Sequence, residues 1–331
     1  MALRHTSRAE RRGAEVTLME YRPTVLKMQS SGTYPPYTPT FPSPREYNEI
    51  VLEWDTSSHV AVLTLNRPQV QNALSVTLIE EIIDALQLIE DNPDISCTLL
   101  RPSGENFCSG GDFNAFTNKD LLTQRWYFER TPRMLQFMAS CTVPVVAAVR
   151  GNCYAFGVAL AGSTDIVLAS DDARFALPGG NVGFGCFTPT AGSYKSFLKK
   201  RIYELLLTAD SRSAQWAHES GLVNHIHPDT ELDAKAWEMA KVVAANAPLV
   251  VRWEKQFLYN IMDIDERHAF RYGTELIVMQ SLTRDGNEGQ NAFLQKRKPV
   301  WQGHKGGGAR GDVHAPEEEH VWKVGREIRR K

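Results

Sequence analysis

The sequence predicts an α/β fold in which a mainly parallel sheet is covered by helices. Three observations carry this. Short apolar runs rich in Val, Ile, Leu and Ala recur as HVAVLTL, SCTLL, PVVAAV and DIVLAS. Stretches of helical length separate them, and strands joined in that way form right-handed crossovers within a parallel sheet. Beyond Pro189 the pattern turns helical and stays so. Ligands of such folds bind beyond the carboxyl ends of the strands.

The elements follow in order. From Pro23 to Pro44, Pro, Ser and Thr dominate without periodicity, so residues 1–46 read as a flexible arm. HVAVLTLNRP is a strand ended by Pro68. In SVTLIEEIIDALQLIEDNPD, Ile79, Ile82, Ile83 and Leu86 recur at helical spacing with acids between them, which predicts an amphipathic helix closed by a turn. SCTLLRPSGE is the second strand, 119–140 a helix, PVVAAV the third strand and DIVLAS the fourth. Helices are then expected over TAGSYKSFLKKRIYELLLT and over SRSAQWAHESG, the latter with Ser213 as N-cap and Gly221 as C-cap. Two more meet near Ala247 and Pro248, and a last one runs from Asp285 to near Pro299. Residues 302–331, with a glycine run and mixed charge clusters, read as a mobile tail whose RGD triplet is chance. The expected organisation is an arm 1–46, a core 47–235, a helical region 236–301 and the tail 302–331.

Composition narrows the function. With 42% hydrophobic and 23% charged residues, disorder of the whole chain is excluded. A net charge of −2 gives no footprint for nucleic acid or an anionic membrane. The compact basic group LKKR, Leu198 to Arg201, reads as a solvated helix face rather than an RNA site. No apolar run reaches the roughly 20 residues of a membrane-spanning helix, so a soluble protein is expected. Five cysteines without a CxxC pair suit buried thiols in a reducing compartment. Arg4, Arg8, Arg11 and Arg12 suit a mitochondrial transit segment, but Glu10, Glu15 and Glu20 do not. The expected location is cytoplasmic, with mitochondria as the alternative.

Two glycine-containing junctions follow neighbouring strands: GENFCSGGDFNAF and GNCYAFGVALAG. Each can aim unpaired backbone N–H groups into one cleft, where a pair of donors would stabilise a developing oxyanion or enolate. The plainer reading is that Gly110, Gly111 and Gly157 serve tight turns and helix packing.

At this point the residues resemble the crotonase, or enoyl-CoA hydratase/isomerase, superfamily from Val60 to Trp301. VAVLTLNRPQVQNAL is similar to its opening strand and CoA-proximal turn, and FCSGGD to its first oxyanion loop. PVVAAVRGNCYAFGVALAGSTD is similar to its second oxyanion junction, ARFALP to the following strand, and EGQNAFLQKRKPVW to its closing helix. PGGNVGFGCFTP and RDGNEGQNAFLQKRKPVW look closest to the branch called enoyl-CoA hydratase domain-containing protein 3. The resemblance implies a ClpP-like spiral of ββα units with a C-terminal helical trimerisation region. It implies an acyl-CoA thioester as ligand, no cofactor apart from the coenzyme A of the substrate, and a homotrimer or dimer of trimers. By position, the N–H groups of Gly111 and Phe156 would form the oxyanion hole. Ala73, Leu74 and Ser109 would lie along the CoA chain, and Phe293 and Lys296 would meet its nucleotide end.

The sequence departs from the pattern where hydratases of this family carry two glutamates: these positions are Ala159 and Gly179, both expected to line the substrate site without a titratable group. Losing general acid–base help forfeits a factor of about 10² to 10⁴, so ordinary hydration is not expected. Where a family dehalogenase carries an aspartate nucleophile the chain has Phe187. Asn181, with Cys186 and Thr188, is a candidate for positioning water or an acyl group, against a plain turn role. Asp112 reads as a helix cap, Cys108 and Cys153 as buried small side chains, and Tyr154, His218, His225 and His227 as packing or surface residues. The functional expectation is an acyl-CoA enzyme performing isomerisation, C–C cleavage, decarboxylation or thioester hydrolysis. The alternative is a catalytically silent acyl-CoA-binding or scaffold protein.

Overall fold

The computed structural model describes residues 45–303. Most of the expected arm, its arginine-rich start and the tail beyond Gly303 lie outside the described residues.

The order is β1 (Ile50–Asp55), β2 (Val60–Leu65), α1 (Val76–Asp91), β3 (Cys97–Pro102), α2 (Phe113–Phe116), α3 (Leu121–Ser140), β4 (Val145–Val149), β5 (Asn152–Tyr154), α4 (Phe156–Gly162), β6 (Ile166–Ser170) and β7 (Arg174–Ala176). Then come α5 (Phe187–Ser193), α6 (Lys199–Thr208), β8 (Arg212–Ser213), α7 (Ala214–Glu219), β9 (His225–His227), α8 (Asp229–Ala244), α9 (Pro248–Ile261), α10 (Glu266–Ser281) and α11 (Arg284–Leu294). One sheet runs β1-β2-β3-β4-β6-β9 and a smaller one β5-β7-β8. From β2 onward every neighbouring pair of the large sheet is parallel, while β1 joins its edge antiparallel. The runs β1-β2-α1, β4-β5-α4 and β6-β7-α5 each read strand, strand, helix, which is the ββα repeat of the expected spiral.

Helices cover both faces of the large sheet, so its central strands read as unbroken apolar runs: all five residues of β4 are buried. On one face α1 buries Leu78, Ile79, Ile82, Leu86 and Ile89, and Ser75 caps it by accepting from the Leu78 N–H at 2.9 Å. On the other face α8 lays Leu232, Ala236, Ala240 and Ala244 against Val60, Cys97, Leu99, Val146 and Leu168. The alanines let the helix approach closely. Ser213 caps α7 by accepting from the Trp216 N–H, and Gly221 follows that helix at φ +97°.

Two expectations are corrected. The single helix over 190–208 is broken by a tight turn at Tyr194–Ser196, and α5 begins before Pro189 at Phe187. A proline is tolerated there because first-turn N–H groups need no intrahelical partner. The sequence reading also omits α10, which buries none of its own residues and so shows no inward stripe.

α9 is tied to the core by polar contacts. Arg252 donates to the carbonyls of Glu90, Asn92 and Ile95, and Lys255 reaches Asp165 at 2.8 Å. On α6, Lys199 and Lys200 are exposed, and Arg201 is paired with Glu204. Among the described residues no helix is long and apolar enough to cross a membrane.

Candidate active site

The two junctions lie side by side. Cys108 and Cys153 pair like short parallel strands: the Cys108 N–H donates to Asn152 O at 3.0 Å, and the Tyr154 N–H to Cys108 O at 2.8 Å. Gly157, the second residue of α4, lies against this pairing, and a Cβ there would lie 2.3 Å from Cys108 O. Gly110 adopts φ +115°, and a Cβ built on it would lie 3.1 Å from the Ala155 Cβ and 3.9 Å from Phe156 N. That conformation and that approach both favour glycine. The loop brings the next residue, Gly111, beside the first turn of α4. Among the described residues neither the Gly111 N–H nor the Phe156 N–H has a protein acceptor.

The turn Asn72-Ala73-Leu74 is stitched to the first junction. The Leu74 N–H donates to Gly110 O at 2.8 Å, the Asp112 N–H to Leu74 O at 3.0 Å and the Ser109 N–H to Gln71 O at 3.0 Å. Ala73, Leu74, Ser109, Gly111 and Phe156 thus lie on adjoining segments. Buried Asn72, at φ 54°, accepts from the Arg67 N–H and donates to Ser103 O and Asn106 O. The Arg67 guanidinium spreads over Ala73 O at 2.5 Å, Asp112 at 3.1 Å and Glu49 at 3.0 Å. Glu49 in turn accepts from the Ser75 hydroxyl. Asp112 also caps α2 through the Asn114 N–H, which is the structural role expected for it.

Sequence reasoning missed Arg67, Asn72 and Tyr127. The Tyr127 hydroxyl donates to Leu74 O at 2.7 Å and lies 2.7 Å from where a Gly111 Cβ would stand. Burial pushes its pKa up, so it stays protonated. The signals were slight: a charged residue two places after β2 at Arg67, and for Tyr127 nothing but its place in a helix.

Rings close the other side. Phe116 meets Phe113, Tyr127, Phe128 and Phe184, and Phe128 meets Phe156 and Phe184, with centroids 4.9 to 6.5 Å apart. The Phe156 ring lies in this cluster, and its Cδ2 lies 3.3 Å from where a Gly111 Cβ would stand.

Ala159 is fully buried where α4 meets α5, and a Cβ on Gly192 would lie 3.2 Å from its own. A Cβ on Gly179 would fall 2.1 Å from Phe184 O and 2.9 Å from Cys186 N, so the loop admits no side chain there. Asn181 stands apart, exposed, its amide donating to Ala209 O at 3.2 Å at the end of α6. Phe293 and Lys296 are exposed on α11 and just beyond it, and among the described residues no hydrogen bond or ion pair links them to the junctions.

The thiols do not read as nucleophiles. Burial pushes Cys108 up to about 12, and burial together with the neighbouring Cys108 raises Cys153 well above the usual thiol range. Tyr154 shares a hydrogen bond with Ser211, and His218 with Val223 O. Among the described residues no group of three His, Cys, Asp or Glu side chains is placed to hold a metal. A cavity of about 1060 Å³ opens between α3, α5 and α9, lined by Leu135, Gly192, Lys255 and Tyr259, and neither Gly111 nor Phe156 lines it.

Residues 55–304 match the family described as enoyl-CoA hydratase/isomerase. The chain belongs to that family. It is 32% identical over 242 residues to human enoyl-CoA hydratase domain-containing protein 3, mitochondrial, covering 72% of this chain and 79% of that one. It is 29% identical over 248 residues to 2,3-dehydroadipyl-CoA hydratase of Escherichia coli, covering 74% and 95%. The crystal structure of the human enoyl-CoA hydratase domain-containing protein 3 superposes with a TM-score of 0.74 at 29% identity, over 77% of this chain and 100% of that one. The crotonase fold expected from the resemblance is therefore the fold of this member of the enoyl-CoA hydratase/isomerase family, whose ligands are acyl-CoA thioesters.

Proposed function

We propose that this protein binds an acyl-CoA thioester with its carbonyl oxygen between the Gly111 and Phe156 N–H groups, and that it carries out enolate or oxyanion chemistry other than two-carboxylate hydration. The observation that carries the reading is this pair of backbone donors, held on adjoining segments and without protein acceptors among the described residues, with positions 159 and 179 bearing no ionisable group. One such donor is worth roughly 3 kcal/mol of barrier. Polarisation of the carbonyl is thus retained without the carboxylates that would activate water. Isomerisation, C–C cleavage, decarboxylation and thioester hydrolysis remain open to such a site, because a substrate group or a bound water can move the proton.

Ala73, Leu74 and Ser109 would follow the CoA chain, and Phe293 and Lys296 would meet the nucleotide of a neighbouring protomer in a trimer or dimer of trimers. Exposed apolar residues of α10, among them Phe270 and Ile277, support that assembly. For location we propose mitochondria rather than the cytoplasm, because the human relative is described as mitochondrial.

Calorimetry with acetyl-CoA and crotonyl-CoA, followed by mass spectrometry of an acyl-CoA panel, tests the proposal. Binding with turnover of a panel member other than by hydration is expected. Binding without any product favours the second reading, an acyl-CoA-binding subunit, which the bare positions 159 and 179 support. No binding overturns both.

A further inference from the structure

Resting on the thioester reading above, we propose that the site selects a flat, uncharged, ring-bearing acyl group, and that Phe184 sets this selectivity. The rings of Phe113, Phe116, Tyr127, Phe128, Phe156 and Phe184 form one continuous set of contacts. This set begins at the oxyanion donor itself: Phe156 Cδ2 and Phe116 Cε1 lie 3.3 and 3.5 Å from where a Gly111 Cβ would stand. An acyl group whose carbonyl is held at Gly111 would then lie within reach of these rings.

Within the set, two pairs lie nearly parallel. Phe116 and Phe184 stack with centroids 5.5 Å apart at 20°, and Phe128 and Phe156 with centroids 6.5 Å apart at 26°. Phe184 is the exposed member carried on a loop: it is 43% exposed, and Gly183 before it takes φ +67° with open space around it, whereas Phe113, at 53%, is fixed on α2 and Phe116 and Phe156 are 5% exposed. A flat ring entering beside the exposed Phe184 would replace one face of the Phe116 stack and keep the offset geometry that aromatic pairs prefer.

The lining also says what is refused. The polar atom of the set is the Tyr127 hydroxyl, whose proton is already given to Leu74 O. A terminal carboxylate on the acyl group would be desolvated against rings with no cation in the set, which is unfavourable. A flexible alkyl chain gains burial but not stacking.

The test is calorimetric titration of the whole protein with acetyl-CoA, cinnamoyl-CoA, octanoyl-CoA and adipoyl-CoA. Cinnamoyl-CoA is expected to bind about tenfold tighter than octanoyl-CoA, which offers similar apolar area, with adipoyl-CoA weakest. In Phe184→Ala the cinnamoyl-to-octanoyl ratio should fall about fivefold, and Phe184→Tyr should retain it. Equal affinities for the cinnamoyl and octanoyl thioesters, with acetyl-CoA still bound, overturn the inference and leave the thioester reading standing. No binding by any of the four overturns both. A ratio unmoved in Phe184→Ala overturns the assignment to Phe184.

Discussion

Lys255 Nζ lies 2.8 Å from Asp165 Oδ2, in a joint where the two side chains are 4% and 18% exposed. Lys255 also donates to Met138 O and Val143 O, and Asp165 accepts from the Val145 N–H. The pair fastens α9 to the start of β4 and the turn before β6. Breaking such a pair from one side leaves the other charge buried alone, so Lys255→Met should cost about 3 to 5 kcal/mol in urea unfolding. A loss below about 1 kcal/mol would show that the joint is as wet as a surface pair.

Gly111→Ala tests the oxyanion assignment. The new Cβ would come 2.7 Å from the Tyr127 hydroxyl, so either the hydroxyl leaves Leu74 O or the loop shifts and Gly111 N moves off line. Turnover of whichever thioester proves to be the substrate should drop about 10² to 10³ fold. Unchanged rates, with near-ultraviolet circular dichroism confirming the fold, would remove Gly111 from the site.

Ala159→Glu should not create a hydratase. The side chain would enter a fully buried contact between α4 and Gly192 of α5. Overpacking together with an unpaired carboxylate should cost about 3 kcal/mol of stability. The absorbance of the crotonyl-CoA double bond should persist with this variant, and its disappearance would show that room exists at this position.

The buried thiols give a pH dependence. Cys108 holds its proton up to about 12 in the fold, whereas its ordinary value is 9.0. Between these values the unfolded chain binds fewer protons than the folded one, so stability falls as pH rises past the unfolded value. Moving from about pH 8 to about pH 10 should cost about 1.4 kcal/mol through this thiol alone, a loss absent in Cys108→Ala. Equal pH slopes in the two proteins, measured by urea unfolding, would show that the thiol is reached by water.

The legible parts of the molecule were those with a local signal. β2, β3, β4 and β6 were readable because burial on both faces leaves unbroken apolar runs, and α1 because its stripe repeats at helical spacing. The two strand-to-helix junctions were readable from their glycines, while their reading as oxyanion loops rests on the family resemblance. β1 was passed over because its edge position leaves alternate residues exposed, and β5, β8 and β9 have three residues or fewer, too short for a period to register. The scaffold of the site was invisible for a different reason. Arg67 meets Asp112 across 45 residues and Tyr127 meets Leu74 across 53, and no spacing within a window of sequence encodes such contacts. Asn181 was singled out from its loop alone, and its amide is engaged with the end of α6.

Gly179 bears on how such a chain can change over generations. The backbone of Phe184 and Cys186 has closed over the point from which a side chain would emerge. Any single substitution there would first displace the segment carrying Phe184, so a lineage with this loop does not gain a carboxylate at 179 by one mutation without disturbing that segment. The loop acts as a ratchet, and descendants should keep glycine at this position for as long as they keep the loop, whatever acyl group they come to accept.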